Sequence, residues 1–453
     1  MSNETETYPW ERLRNYAEAG DGASLVAYLS SLKPSEAVRA ILRLDPAAQE
    51  KVLTTLSPAD AADLIVDVPN EQAAGIIENM RPADAAEIVN EMMSDEQADL
   101  LSNLEEHNVR AILREMSAED AEEARELARY PDDVAGGLMM TEFFKFTEDV
   151  TVGEALDAIN GMAEDIEEYF KRYAYVVSPL DRVVGVIEVR DLVLSPRYKP
   201  VAEVMVPSLF ATDETPLNEL KSFFDAHSFA AVPVVDRRGK LLGIVRRTAA
   251  QAKLSEQAER DMLRMQGIIG GDEIRDLPTA TRFRRRISWL SINIVLNIAA
   301  ASVIALYIDT LGAVIALAVF LPIISDMSGC SGNQAVAVSM RELTLGIVKP
   351  FEVLRVWAKE ISVGALNGLA LGLLLGGVAW AWKGNPALGL VVGGALALNT
   401  LVAVSIGGTV PLVLKRLGID PAVASGPILT TVTDICGFFL VLSFATLMLA
   451  HLT

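Results

Sequence analysis

The stretch from Ser425 to Ala450, SGPILTTVTDICGFFLVLSFATLMLA, decides the fold. It is apolar over a length that can cross about 30 Å of hydrocarbon as an α-helix, for which about 20 residues suffice. Four more runs of this kind precede it, at about 287–308, 311–340, 361–382 and 387–414. So many runs in one part of the chain are improbable as buried helices of a soluble enzyme. The sequence therefore predicts a multidomain membrane protein whose C-terminal domain has five helical spans in the lipid bilayer.

Charge is divided unevenly along the 453 residues of the chain. The formal net charge is −21, yet from Arg286 onward seven acids stand against eight bases, so the negative charge lies in the first half. Phosphate binding needs clustered Lys and Arg, and an acidic half therefore disfavours a nucleic-acid partner. It suits a solvated domain, or one that gathers cations.

Residues with catalytic chemistry are few and scattered. The two cysteines, Cys330 and Cys436, lie in apolar segments and imply neither a disulfide framework nor a zinc site. The histidines, His107, His227 and His451, show no metal-ligand spacing, and there is no phosphate loop or nucleophile–base arrangement. We therefore expect that this protein is not an enzyme. The polar N-terminus lacks a signal-peptide pattern, so the soluble half is expected in the cytoplasm.

An internal repeat runs through about residues 20–130. The segment Ser57–Ala62, SPADAA, recurs as RPADAA at Arg81–Ala86, 24 residues later. Pro or an acid in the first turn, followed by an apolar stripe, favours a short helix. Because such helices cannot bury their faces alone, they should stack as an all-α superhelical N-terminal domain over residues 1–132.

Residues 133–253 change to a mixed pattern. A strand–turn–strand motif at about 173–187 returns at about 231–245, and each copy follows a predicted helix. Thr151 and Glu154 form a capping box before the first copy, and Thr215–Pro216 opens the helix before the second. Two such α+β units normally pack through their open sheet faces. The pattern resembles a tandem pair of CBS domains, at about 137–198 and 199–253, which are modules that sense ligands.

Bases beside the apolar runs predict the orientation. They cluster before the first span near Arg286, between the second and third at 341–359, and between the fourth and fifth at Lys415–Arg416. Lys383 is the lone base on the opposite side. By the positive-inside rule, the chain is a multi-pass protein of the inner (cytoplasmic) membrane, with its N-terminal domains cytoplasmic and its C-terminus outside.

Two carboxylates lie inside the predicted spans. Asp434 has no Lys or Arg between Ala422 and Thr453, and no base occurs deep in any of the spans. Charged groups in a membrane usually mark a pathway or a pairing, so Asp434 predicts a cation pathway; pairing with a base on another helix is the alternative. Asp326 is a second candidate, in a Pro- and Gly-interrupted stretch at 321–334 that predicts an irregular helix.

A single Asp is a weak site for a dehydrated divalent ion. Mg²⁺ gives up its water reluctantly and keeps several waters when bound. An Asp434 at a two-fold axis would present two carboxylates to a largely hydrated ion. We therefore expect a homodimer with the pathway between two protomers.

The order of these domains resembles the MgtE magnesium channels over nearly the whole chain. Leu417–Pro427, continuing to Asp434, is similar to that family's last-span signature, and Ala135–Thr141 is similar to its entry into the first CBS domain. The resemblance implies a dimeric, Mg²⁺-selective channel that is closed by a connecting "plug" helix, here 254–280, before a membrane domain at 281–453. Cytosolic Mg²⁺ bound between acidic surfaces would cause that closure.

The resemblance also implies metal-binding residues. Asp434 would bind the ion in the pore, and Asp420 falls on an acid near the cytosolic mouth. Asp261 keeps a sensor position, and we add Thr430 and Asp326 to the predicted metal set. Other acids that could sense Mg²⁺ are Glu256, Glu259, Asp60, Asp84 and Asp95.

Two departures from the family pattern stand out. The stretch after the second CBS strand, Arg246–Asp261, has lost most of the acids found there in the family. Cys330 stands where many members have Asn, which bears on ion selectivity. Two other functions remain open: transport of another divalent cation such as Co²⁺ or Mn²⁺, and a membrane sensor without flux whose CBS pair binds ATP or another nucleotide.

Overall fold

The computed structural model describes residues 8–161, 170–268, 273 and 277–452. They form two compact units, one that ends at Ser255 and one that begins at Glu256. The boundary lies within a single long helix.

Short helices make up the first part of the first unit. Within residues 8–130 they are α1 Pro9–Ala19, α2 Gly22–Ser31, α3 Pro34–Leu42, α4 Pro46–Thr55, α5 Pro58–Val66, α6 Asn70–Glu78, α7 Pro82–Asn90, α8 Ser94–Asn103, α9 Glu106–Glu115 and α10 Ala118–Leu127. The repeated segments begin α5 and α7, each with Pro at the first helical position. Helix α5 packs on α7 and α7 on α9, while α6 packs on α8, around one continuous apolar core. The predicted helical N-terminal domain is confirmed.

The second part of this unit is the predicted pair of α+β modules. Its elements are β1 Met139–Met140, β2 Phe143–Thr147, α11 Val152–Gly161, β3 Phe170–Val177, β4 Val183–Glu188, α12 Val189–Leu194, β5 Val206–Pro207, β6 Ala211–Thr212, α13 Leu217–Ala226, β7 Ala231–Val235, β8 Leu241–Arg246 and α14 Arg247–Met265.

The two modules together form two four-stranded sheets. The strand orders are β2-β3-β4-β5 and β1-β8-β7-β6, with the central pairs β3–β4 and β7–β8 antiparallel. The short β1, at the start of the first module, pairs with β8 of the second, and β5, at the start of the second, pairs with β4 of the first, which links the two. The expected capping box opens α11: Thr151 N donates to the Glu154 carboxylate at 2.8 Å, and Glu154 N donates to Thr151 Oγ1 at 3.3 Å. The fold prediction for this region is confirmed.

Long helices dominate the second unit. They are α15 Thr279–Leu306, α16 Ile308–Ala313, α17 Leu317–Thr344, α18 Val353–Lys383, α19 Pro386–Arg416, α20 Pro421–Leu447 and α21 Leu449–Leu452. A long helix lies at each of the five predicted spans. Among the described residues, four helices are long and apolar enough to cross a membrane: α15, α18, α19 and α20.

Helix α17, at the second predicted span, falls outside that group, because Ser, Asp, Asn and Gln side chains lower its hydropathy. The prediction of an irregular helix at 321–334 is wrong: α17 is one continuous α-helix with Pro322 in its second turn. Gly332 permits close packing instead. A Cβ on Gly332 would lie 3.0 Å from the carbonyl oxygen of Ala403 on α19.

Glycines form the contact between α18 and α19. A Cβ on Gly393 would lie 2.4 Å from the carbonyl oxygen of Gly372, and a Cβ on Gly372 would lie 2.5 Å from that of Gly393. Gly376 and Gly389 face each other in the same reciprocal way, with 2.6 Å for both distances. Small residues thus let the two backbones touch, as is usual where membrane helices associate.

We expect Gly393→Ala to destabilise the membrane domain by about 1–3 kcal/mol, the usual cost of overpacking. The added methyl group meets backbone, which cannot rotate away. Thermal unfolding of the full chain in detergent measures this. The matched control is Gly377→Ala, because a Cβ there meets nothing within 4 Å; equal stability of the two variants would contradict the packing described.

Candidate ion-binding site

The intramembrane carboxylate Asp434 lies in the middle of α20. The helix starts at Pro421, and the side chain of Asp420 caps it by accepting a hydrogen bond from Ala422 N at 2.9 Å. Asp434 is only 8% exposed, and its carboxylate accepts a hydrogen bond from the hydroxyl of Ser325 on α17. Within the part of the chain that the structure describes, no Lys or Arg forms an ion pair with it. The alternative of a base on another helix is therefore not seen there.

A network of buried polar side chains on α17, α19 and α20 adjoins the Ser325–Asp434 hydrogen bond. Ser328, Asn399 and Thr433 are all fully buried, and Asn399 donates to the Ser328 hydroxyl and to the Thr433 carbonyl. Sequence reasoning missed the contact of Ser325 with Asp434 and the hydrogen bonds of Asn399 to Ser328 and Thr433. An Asn in the apolar centre of a predicted span was the signal that could have found Asn399.

The other predicted intramembrane ligands are exposed on the single chain. Asp326 lies on α17 next to Ser325, and Cys330 and Asn333 continue the same exposed face at helical spacing. Thr430, one turn before Asp434 on α20, is also exposed. Neither Asp326 nor Thr430 shares a hydrogen bond with Asp434 among the described contacts. A polar face on a membrane helix needs water or protein against it.

The described part of a single chain does not form a complete set of metal ligands. Among the described residues, no group of three or more His, Cys, Asp or Glu side chains could hold a metal ion. Asp434 is thus a single carboxylate with a hydroxyl partner, which suits an ion that keeps most of its water.

Two acidic residues, Asp420 at the start of α20 and Asp261 on α14, lie near each other. Asp420 forms an ion pair with Arg264 of α14, at 3.1 Å. Burial, and the nearby Asp420 carboxylate, raise the pKa of Asp261, one turn before Arg264. Met265, at the end of α14, packs against an apolar cluster of α17 and α20 residues that includes Ala422 and Leu429. The end of α14 and the start of α20 therefore form one charged junction.

The helical domain and the CBS pair also meet through charged groups. Glu142 accepts hydrogen bonds from Ser94 N at 2.9 Å and from Ser94 Oγ at 2.8 Å. Asp95 forms an ion pair with Arg246 at 2.7 Å and is itself buried. Arg246 thus neutralises an acid that the sequence offered as a possible Mg²⁺ sensor.

A buried lysine makes the second ionic contact of this interface. Lys253 Nζ lies 3.3 Å from Asp99 of α8 and 3.1 Å from Asp132, which follows α10. Its side chain is 8% exposed. Two cations of the chain itself thus hold together acidic groups that would otherwise repel each other.

Glu96, beside these ion pairs, makes the interface sensitive to pH. Burial, and then the Asp95 carboxylate, raise the pKa of Glu96 to about 7, against the opposing effect of Arg246. A raised carboxyl pKa means that the folded state binds the proton more tightly, so this contribution to stability is full below about pH 4.5 and is lost as pH rises through 7.

Accordingly, we expect Glu96→Gln to protect the amides of α8 against hydrogen exchange at pH 8, with a smaller difference from the parent chain at pH 6. The control is Glu91→Gln, at an exposed position. An effect of Glu96→Gln that does not depend on pH would contradict the assignment.

The described residues define a membrane protein with helical spans that follow a helical repeat and a CBS pair. Family models match all three regions: "divalent cation transporter" at residues 321–444, "MgtE intracellular N domain" at 25–133, and "CBS domain" at 134–196 and 201–254. The magnesium transporter MgtE of Thermus thermophilus is 35% identical over 334 residues, which cover 72% of each chain.

Two further comparisons agree. The magnesium transporter MgtE of Bacillus subtilis is 29% identical over 73% of this chain and 72% of its own. The crystal structure of the soluble part of a magnesium transporter is 27% identical, with a TM-score of 0.50, and covers 55% of this chain and 98% of that one. The chain belongs to the MgtE family, and the family resemblance of the sequence is confirmed.

Proposed function

We propose that this protein carries Mg²⁺ across the membrane through a channel, with Asp434 as the residue that attracts the ion. The observation that carries the proposal is a buried intramembrane carboxylate with a hydroxyl partner and no ion pair among the described residues. Such a group is costly to keep unless a cation uses it. Relatives named as magnesium transporters, over most of the chain, support Mg²⁺ as the substrate.

The channel forms between two copies of the chain. Support comes from the exposed polar face of α17, with Asp326, Cys330 and Asn333, and from Thr430 on α20. Lipid cannot satisfy these groups, whereas a second copy and a water-filled path can. Two Asp434 side chains would then face one hydrated ion, with Thr430 and Asp326 along its path.

Cross-linking tests this arrangement. In a chain with Cys330→Ser and Cys436→Ser, a cysteine introduced at Thr430 should join two protomers under mild oxidation. A cysteine at Leu366, exposed on α18, is the control and should not. Cross-linking that is equal at both positions would count against a pathway between protomers.

The N-terminal domains and α14 lie in the cytoplasm, the C-terminus lies outside, and the membrane is the cytoplasmic one. The basic flanks support this orientation, because positive residues remain inside. At the cytoplasmic entrance, Mg²⁺ competes with Arg264 for Asp420 and Asp261. Release of Arg264 would alter the contact between α14 and α20, which gives cytosolic Mg²⁺ a means of regulation. ATP or another nucleotide at the CBS pair remains a prediction.

Ion competition separates the candidate substrates. Addition of Co²⁺ or Mn²⁺ at the Mg²⁺ concentration should leave Mg²⁺ uptake by cells that express the chain largely unchanged. Strong inhibition, with uptake of the competitor, would make another divalent cation the substrate. A membrane sensor, the second candidate class, predicts no uptake of any of these ions.

A further inference from the structure

Asn399 connects three membrane helices through one side chain. It lies in α19 with no accessible surface, and its Nδ2 donates to Ser328 Oγ on α17 at 2.5 Å and to the Thr433 carbonyl on α20 at 3.0 Å. Because a carbonyl oxygen only accepts, the amide nitrogen must face Thr433. The side chain therefore fixes α17 and α20 against α19 at one level.

Both acceptors are next to the groups that meet at Asp434. Thr433 directly precedes Asp434. The Ser328 hydroxyl bonds the Ile324 carbonyl and lies 3.1 Å from the carbonyl oxygen of Ser325, whose own hydroxyl donates to Asp434. Asn399 thus holds the backbone on either side of the Ser325–Asp434 hydrogen bond.

Packing alone does not explain a polar residue at this position. The other amide atom, Asn399 Oδ1, is buried and accepts no hydrogen bond from the protein groups that the structure describes. A half-satisfied buried amide costs stability that an apolar side chain of similar size would not. The neighbouring helix also leaves room for it: a Cβ on Gly437 would lie 2.7 Å from Asn399 Nδ2.

We propose that Asn399 is a positioning residue for the ion site: it keeps the Ser325 hydroxyl directed at the Asp434 carboxylate. This rests on the proposed function, because Asp434 is taken as the ion-binding group. Groups that orient a metal ligand typically change affinity or activity by about 10–100-fold when they are removed.

The test is Mg²⁺ flux into liposomes that contain the full chain. We expect Asn399→Leu to raise the half-saturating Mg²⁺ concentration about tenfold, as Ser325→Ala should. If Asn399 acts through Ser325, the double variant is no worse than either single one, because the two changes remove the same interaction. Thr400→Val is the matched control: Thr400 is equally buried, and its hydroxyl has no partner among the described residues.

A second measurement does not depend on flux. The infrared carboxylate band of Asp434, assigned by its loss in Asp434→Asn, should shift alike in Asn399→Leu and Ser325→Ala and stay in place in Thr400→Val. If the parent chain carries no Mg²⁺, the proposed function fails while this band still tests the positioning. The positioning role would be overturned if Asn399→Leu kept both the half-saturating Mg²⁺ concentration and the infrared carboxylate band of the parent chain. Should that variant not fold, Asn399→Ala replaces it.

Discussion

Replacing Asp434 with Asn should lower Mg²⁺ flux by about 100-fold or more. The change keeps the shape of the side chain and its contact with Ser325 but removes the charge. At an effective dielectric constant of about 20, a unit charge 4 Å from a carboxylate gains roughly 4 kcal/mol, which corresponds to far more than a factor of 100. A hydrated ion lies farther than 4 Å from the carboxylate and gains less, so we expect flux to fall by about 100-fold. Initial rates of uptake into proteoliposomes measure it.

The control for this variant is Asp309→Asn, which removes an exposed carboxylate of α16. It should leave flux within about twofold of the parent chain, because screening by solvent weakens interactions of exposed charges. Flux that survives in Asp434→Asn, with folded protein in the liposomes, would exclude this carboxylate as the ion site.

The second large effect is expected from Lys253→Ala. This change removes the buried cation that lies beside both the Asp99 and the Asp132 carboxylates. Because those carboxylates are 29% and 45% exposed, solvent screens them once the lysine is gone, and we expect a cost of about 1.5–3 kcal/mol, the usual value of hydrogen bonds to charged groups. The contact between the helical domain and the CBS pair should open at least about tenfold more often, and hydrogen exchange of the α8 amides in the full chain should rise accordingly.

Two further variants show whether charge is the cause. Lys145→Ala removes an exposed lysine that pairs with Asp181 at 3.4 Å, and it should cost less than about 1 kcal/mol. The triple change Lys253→Met, Asp99→Asn and Asp132→Asn removes the whole cluster and should restore protection of α8. If Lys253→Ala exchanged like the parent chain, the interface would not depend on this lysine.

The overall architecture could be predicted from the sequence because its signals are local. Each signal depends only on residues that are close together in the sequence, within a few residues to a few helical turns. This holds for the repeat at Ser57 and Arg81, for the capping box at Thr151 and for the apolar runs. For the same reason Asp434 could be singled out: a charge in an apolar run needs no partner to be noticed.

Contacts set by helix packing could not be predicted. Asn399 reaches Ser328 and Thr433 across sequence separations of 71 and 34 residues, and nothing local indicates which helix faces are in contact. The continuous α17 shows the same limit. Gly332 reads as a helix breaker in sequence, yet it permits close approach to α19. Likewise the ion pair of Arg246 with Asp95 joins residues far apart in the sequence and could not be predicted without the fold.

The most direct test of Mg²⁺ transport is uptake by the purified full chain in liposomes that enclose a Mg²⁺-sensitive dye, with an inside-negative potential. We expect saturable Mg²⁺ entry well above that of empty liposomes, and entry in Asp434→Asn at the empty-liposome rate. Mg²⁺ transport by this chain would be contradicted if the folded parent chain in the membrane let Mg²⁺ enter no faster than empty liposomes do.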